Sequence, residues 1–172
     1  MTPRERLVTA LEHREPDRVP LDLAGCHVTG IHRTACRNLR RALGLGDEPA
    51  PYADVLQQVV IPRDDLLEKL GVDTRGLFPR TSHNEHVPEV PPDGGPVEFT
   101  DEWGFVQRFP KDGFWWSLVK SPLDDPEIDM DAVRNYPWPA AARPDRIRGL
   151  REQALRYRER GYAVMLKGLC AG

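Results

Sequence analysis

HREPDRVPLDLAG, residues 13–25, contains the change from turn to strand on which the predicted fold depends. Its first half has the composition of a turn, because Pro16 disfavours helix in the residue that precedes it. Pro20 then fixes φ and removes a backbone donor at the point where a strand would begin. The following residues, 19–23, are mostly apolar and carry Asp22 near their end. We therefore predict a turn that leads into a short buried strand with a carboxylate near its exit.

The composition is that of an ordinary soluble protein. The chain has 172 residues, of which 40% are hydrophobic and 30% charged, and its net charge of −3 gives no basic face for nucleic acid. No apolar run approaches the roughly 20 residues of a membrane helix, and the charged N-terminus has no signal-peptide core. Three cysteines are too few for a disulfide framework. The sequence predicts a cytoplasmic protein that binds neither nucleic acid nor a membrane.

Local signals divide the rest of the chain into alternating helices and strands. A capping box with proline at the first helical position predicts a helix over residues 3–12. Helical spacing and stop signals predict four more helices, at residues 30–43, 62–71, 131–135 and 145–160. Strands are predicted at 19–23, 72–78 and 162–169. Three alternating segments at about 96–120 predict a small antiparallel meander.

This order of elements is typical of an α/β protein with parallel strands. The strand at 162–169 is apolar on both faces, and such a strand needs neighbours and covering helices on each side. Three strands cannot close a barrel. We therefore expect the chain to be the front part of a larger protein, whose exposed last strand would favour self-association or a homodimer.

Six segments in a fixed order resemble a known family. They are TPRERLVTALEHREPDRVPLDLAG, TGIHRTACRNLRRALGL, LLEKLGVDTRGL, DEWGFV, YPWPAAARPDRIRGLREQA and GYAVMLKGL. This set is similar to the uroporphyrinogen decarboxylase (URO-D) superfamily, which also contains corrinoid-linked and cobalamin-independent methyltransferases. The resemblance implies that residues 1–172 are the N-terminal half of a URO-D-like domain. That domain would be a TIM (β/α)₈ barrel, interrupted here by the meander as an insertion.

The resemblance leaves more than one activity open. Decarboxylases of the family have an arginine-rich segment after strand one and an aspartate just past strand two. Here residues 22–27 contain no arginine, and Arg80 lies near the place of the aspartate. The resemblance therefore implies a methyltransferase-like enzyme that moves a methyl group between a corrinoid or small methylated substrate and a thiol. Its zinc ligands would lie outside this chain, which alone would be inactive. The alternatives are a uroporphyrinogen decarboxylase of porphyrin biosynthesis and a non-catalytic binding module.

Five residues are predicted to bind substrate. Asp22 and His27 follow the first strand, where the family binds its substrate, although Asp22 could instead cap the next segment. Gln58 could offer amide hydrogen bonds to a polar ligand. Alternation places Asp73 and Arg75 on one face of a strand. We expect those two to pair, either as a structural ion pair or as a substrate contact.

No metal site is predicted within the chain. Cys26, His27, His32 and Cys36 have the residue types of a zinc site. Their spacing nevertheless matches no common structural pattern, because the first two belong to the loop that precedes the helix of the other two.

Overall fold

The computed structural model describes residues 1–80, 88, 97–140 and 144–166. Its helices are α1 (Pro3–Leu11), α2 (Arg33–Ala42), α3 (Asp64–Lys69), α4 (Met130–Asn135) and α5 (Leu150–Glu159), with a 3₁₀ helix at Pro144–Ile147. Its strands are β1 (Ile31–His32), β2 (Tyr52–Asp54), β3 (Val59–Val60), β4 (Thr74–Leu77), β5 (Val97–Thr100), β6 (Val106–Phe109), β7 (Ser117–Lys120) and β8 (Ala163–Leu166).

The capping and stop signals of the helices are confirmed. The Thr2 hydroxyl accepts a hydrogen bond from the Glu5 amide at 3.2 Å, and the Glu5 carboxylate accepts one from the Thr2 amide at 2.8 Å. Gly44 and Gly71 follow α2 and α3 with φ of 69° each, a conformation that glycine adopts without strain. The helix predicted over 145–160 is interrupted at Gly149, whose φ is 80°, so that the 3₁₀ helix precedes α5.

The strands form three small sheets. One is antiparallel with the order β1-β3-β2, and another is antiparallel with the order β5-β6-β7. The second of these is the predicted meander, whose three strands are confirmed. The remaining sheet is the parallel pair β4-β8, in which Thr74 lies opposite Ala163 and Leu77 opposite Leu166. The three-stranded sheet within residues 31–60 was not predicted.

The expectation that the chain is the N-terminal part of a TIM (β/α)₈ barrel is wrong. Within the described residues, β4-β8 is the single parallel pair and the other two sheets are antiparallel. The predicted first barrel strand, residues 19–23, forms no strand. Within this segment, the carbonyl of Leu21 accepts a hydrogen bond from the Asp73 amide at 2.9 Å. The amide of Leu21, however, donates to the Asp73 side chain and not to a backbone carbonyl. A ladder therefore cannot continue along this segment, and Val19 is 83% exposed.

Two groups of apolar side chains hold these elements together. Cys36, Val60 and Leu66 are buried where α2, β3 and α3 meet. In the meander, Trp116 is buried between Phe99 and Phe109, with ring centroids 4.8 and 5.4 Å away in edge-to-face arrangements. No helix of the described residues is long and apolar enough to cross a membrane.

Candidate functional site

A buried carboxylate fixes the N-terminal helix and the first loop onto β4. Asp73 has no exposed surface and accepts hydrogen bonds from Arg6 at 2.5 Å, from Arg18 at 2.8 and 2.9 Å and from the Leu21 amide at 2.8 Å. Arg6 also donates two hydrogen bonds to Asp17, at 2.6 and 2.8 Å. This network occupies both oxygens of Asp73, so its observed role is to anchor two segments of the chain.

The expected pair between Asp73 and Arg75 is wrong, because Arg75 contacts other groups. Its Nε donates to Asp64 at 3.1 Å, and its Nη1 donates to the carbonyls of Val72 and Thr74 at 3.1 and 2.8 Å. The guanidinium carbon lies 3.7 Å from the centroid of the Tyr162 ring, within the range of a cation–π contact. Arg75 is 1% exposed and joins β4 to α3 and to the residue before β8.

The loop of residues 22–29 lies across the parallel pair, near the carboxyl ends of its strands. Asp22 Oδ1 accepts hydrogen bonds from the Gly25 amide at 3.0 Å and from the Thr74 hydroxyl. A β-carbon on Gly76 would come within 2.5 Å of the Ala24 carbonyl oxygen. The absence of a side chain at Gly76 therefore permits the loop to lie directly on β4.

The same loop also packs against β8. A β-carbon on Gly25 would lie 2.5 Å from the Met165 sulfur and 2.5 Å from Asp22 Oδ1. Met165 lies opposite Gly76 in the register of the pair. The loop thus covers the second half of both strands, and this edge is where ligands bind in open parallel sheets.

Cys26 lies at the partly exposed part of this loop. Its amide donates to the Thr29 hydroxyl at 3.4 Å, and its sulfur lies 3.8 Å from the same oxygen. Hydrogen bonding from the Thr29 backbone lowers the pKa of the Cys26 thiol, whereas burial and the nearby Asp22 charge act in the opposite direction. His27 is in the same loop, and its carbonyl accepts a hydrogen bond from the Gly30 amide at 3.1 Å. The structure therefore places Asp22, Cys26 and His27 in one loop.

Gln58 lies elsewhere, in the loop between β2 and β3. It is 1% exposed, and its amide donates to the Val55 carbonyl at 2.6 Å while its oxygen accepts from the Tyr52 hydroxyl at 3.3 Å. Its φ of 57° lies in the left-handed region, which the turn between the two strands requires. These contacts give Gln58 a structural part in the hairpin.

The cysteine and histidine side chains of the described residues do not fit a zinc site. His32 caps α2 by accepting from the Thr34 amide through Nδ1 at 3.2 Å, and its Nε2 donates to the Phe114 carbonyl at 2.9 Å. Cys36 is 2% exposed and packs in the core. Across the described ranges, no group of three or more histidine, cysteine, aspartate or glutamate side chains is arranged to hold a metal ion.

Comparison with known proteins adds no relative. No protein-family model, no curated protein and no solved structure matches the chain.

Proposed function

We propose that the protein is part of a methyltransferase-like enzyme of the URO-D superfamily and binds a small methylated substrate or a corrinoid at the loop of residues 22–29. The ordered segments that resemble the family support this proposal. The observation that carries it is the position of Asp22 and Cys26 in one loop that lies over the carboxyl ends of β4 and β8. Parallel-sheet enzymes bind ligands at this edge.

The resemblance implies that the chain alone would be inactive, but this proposal gives the chain a reactive group of its own. Cys26 would be the nucleophile of such a transfer. A thiol whose pKa is lowered has a larger thiolate fraction at neutral pH, and the thiolate is the reactive form. Its sulfur would attack the methyl carbon of the donor. The S–CH₃ bond forms while the bond to the leaving group breaks, and that bond's electron pair departs with the leaving group. No step passes through zinc, because the described residues do not fit a zinc site.

Asp22 would position both the loop and the substrate. Its Oδ1 holds the Gly25 amide and the Thr74 hydroxyl. Its Oδ2 makes no hydrogen bond with the part of the chain that the structure describes, so this oxygen is available to a donor group of the substrate. His27, from the same loop, would contact the bound substrate.

We also propose a cytoplasmic location. Cys26 and Cys36 are free thiols, and the proposed chemistry requires Cys26 to stay reduced, as it would in a reducing compartment.

The contacts of Arg75 argue against the decarboxylase alternative at the edge of β4 and β8. That reaction needs a cation beside the departing carboxylate, and Arg75 is covered by Tyr162 and bonded to Asp64.

The test is transfer of a methyl group to the protein. Purified protein is incubated with methylcobalamin, and the cysteine-containing peptides are then analysed by mass spectrometry. We expect one methyl group on Cys26 and none on buried Cys36, which serves as an internal control. Asp22→Asn should reduce the yield, whereas Asp131→Asn, which changes an exposed carboxylate of α4, should not.

A second measurement separates binding from reaction. Binding of methylcobalamin is followed by its absorbance for the wild type and for Cys26→Ser. Binding without methylation would favour the non-catalytic binding module, and the absence of both would contradict the proposal. Light scattering on the same samples tests the predicted self-association, because β4 and β8 pair only with each other among the described strands.

A further inference from the structure

A cleft of about 630 Å³ opens between α2 and the segment that leads into β2. Its volume lies within the range of small-molecule sites. The apolar part of its lining comes from Cys36, Ala50 and Val60, and Tyr52 adds a hydroxyl group. None of the residues that line the cleft belongs to the loop of residues 22–29.

The acidic side chains at this cleft are already paired. Arg40 is 2% exposed and donates to Glu48 at 2.8 Å and to Asp65 at 2.6 and 3.0 Å. Asp47 pairs with Arg41 at 2.5 Å. Asp47 and Glu48, the two carboxylates that line the cleft, are therefore each bonded to an arginine, and Arg40 is shared between Glu48 and Asp65.

Two further arginines of the lining are not matched by acidic groups. Arg33 and Arg37 are four residues apart on α2, so their side chains lie on the same face of the helix. Arg33 donates to the Tyr52 hydroxyl at 3.3 Å, which leaves its charge uncompensated. Arg37 is exposed and forms no hydrogen bond or ion pair with the residues that the structure describes.

We propose that this cleft binds a small organic anion, with its carboxylate or phosphate group between Arg33 and Arg37 and its apolar part against Ala50 and Val60. Guanidinium groups bind both anions through paired hydrogen bonds. Arg33 is the first residue of α2, where the helix dipole also favours negative charge. The Tyr52 hydroxyl donates to Gln58 at 3.3 Å and accepts from Arg33 at 3.3 Å, so it holds the Arg33 side chain at the cleft.

The test uses three probes of similar shape, which are benzoate, phenyl phosphate and the neutral benzyl alcohol. Binding is measured by titration calorimetry at low salt. We expect both anions to bind and benzyl alcohol to bind at least about tenfold more weakly, because charge-assisted hydrogen bonds are roughly twice as strong as neutral ones. Raising the salt concentration should weaken the binding of the anions.

The variants locate the site. Arg37→Gln should weaken anion binding about tenfold or more, as expected for the loss of one charged hydrogen-bonding group. It should leave urea unfolding unchanged, because Arg37 is exposed and forms no pair in the described residues. The matched control is Arg134→Gln, which removes an exposed arginine from α4 and should leave anion binding unchanged.

Three results would overturn the inference. These are the absence of binding by both anions, equal binding of benzoate and benzyl alcohol, and anion binding that Arg37→Gln leaves intact. Methylation of Cys26 plays no part in these measurements, so this inference and the proposed function can fail separately.

Discussion

Replacement of Asp73 by alanine should destabilise the protein more than any other removal of a single carboxylate described above. Four hydrogen bonds end on this carboxylate, from Arg6, from Arg18 twice and from the Leu21 amide. Asp73 has no exposed surface, so no water replaces these contacts when the side chain is cut back. Alanine would leave the Leu21 amide and one side of the Arg6 guanidinium without an acceptor.

The expected loss of unfolding free energy depends on the burial of the Asp73 side chain. Removal of one partner from a buried ion pair costs about 3–5 kcal/mol. The side chain of Arg18 is 44% exposed and can turn to water. Solvent screening therefore reduces the contribution of the Arg18–Asp73 pair to stability. Arg6 also keeps Asp17 as a partner. We therefore expect Asp73→Ala to lower the free energy of unfolding by about 3 kcal/mol, the lower end of the range for a broken buried ion pair. The total free energy of unfolding of a protein is typically about 5–15 kcal/mol.

The assay is urea unfolding, followed by far-ultraviolet circular dichroism and by tryptophan fluorescence. Asp73→Asn keeps the volume of the side chain and one oxygen acceptor, so we expect it to lower the unfolding free energy by about 1.5–2 kcal/mol, the lower part of the range for a lost hydrogen bond to a charged group. Asp131→Ala removes an exposed carboxylate and should change stability by less than about 0.5 kcal/mol. If Asp73→Ala matched this control, the buried network would not stabilise the fold and our reasoning would be refuted.

Three other predictions can be checked on the same protein. Iodoacetamide should modify Cys26 at neutral pH well before Cys36, whose thiol is buried with a raised pKa, and peptide mass spectrometry showing equal rates would contradict this. The hydrogen bond from Arg40 lowers the pKa of the Asp65 carboxyl. The Asp65–Arg40 pair should therefore stabilise the fold above the unfolded-state pKa of Asp65, and this stabilisation should be lost as the pH falls through the folded-state pKa. The unfolding free energy of Asp65→Asn should accordingly depend less on pH in the acid range, and a profile parallel to the wild type would disprove the linkage. Gly76→Ala should cost about 1–3 kcal/mol in urea unfolding, because the new methyl group meets the loop backbone, and an unchanged midpoint would argue against that close packing.

Features that depend on neighbours a few residues away could be predicted from the amino-acid sequence alone. The capping box of Thr2 and Glu5 closes within one turn, and Gly44 ends α2 through its own backbone conformation. The meander strands alternate in polarity and lie next to one another in the chain, so their pairing also follows from local pattern. In each of these cases the hydrogen-bonding partners are set by short spacing.

The pairing of segments that are far apart in the sequence depends on packing and could not be predicted. Residues 19–23 are apolar enough for a strand, but the Asp73 side chain, 52 residues further on, takes the Leu21 amide that a ladder would need. Short apolar runs of this kind are compatible with parallel strands, hairpins or extended loops alike, so the pattern could not exclude antiparallel sheets.

The same reason explains the candidate site. Asp22 and Cys26 are near each other in sequence, but the pattern predicted a strand at Asp22 and a loop at Cys26, whereas the structure has both in one loop. The alternation of β4 placed Asp73 and Arg75 on one face, but it could not assign their partners. Those partners come from separate elements, with Arg6 contributed by α1 and Asp64 by α3. A buried charge is stabilised by whichever opposite charge the packing brings against it, and that choice is made only when helices distant in sequence close onto the sheet.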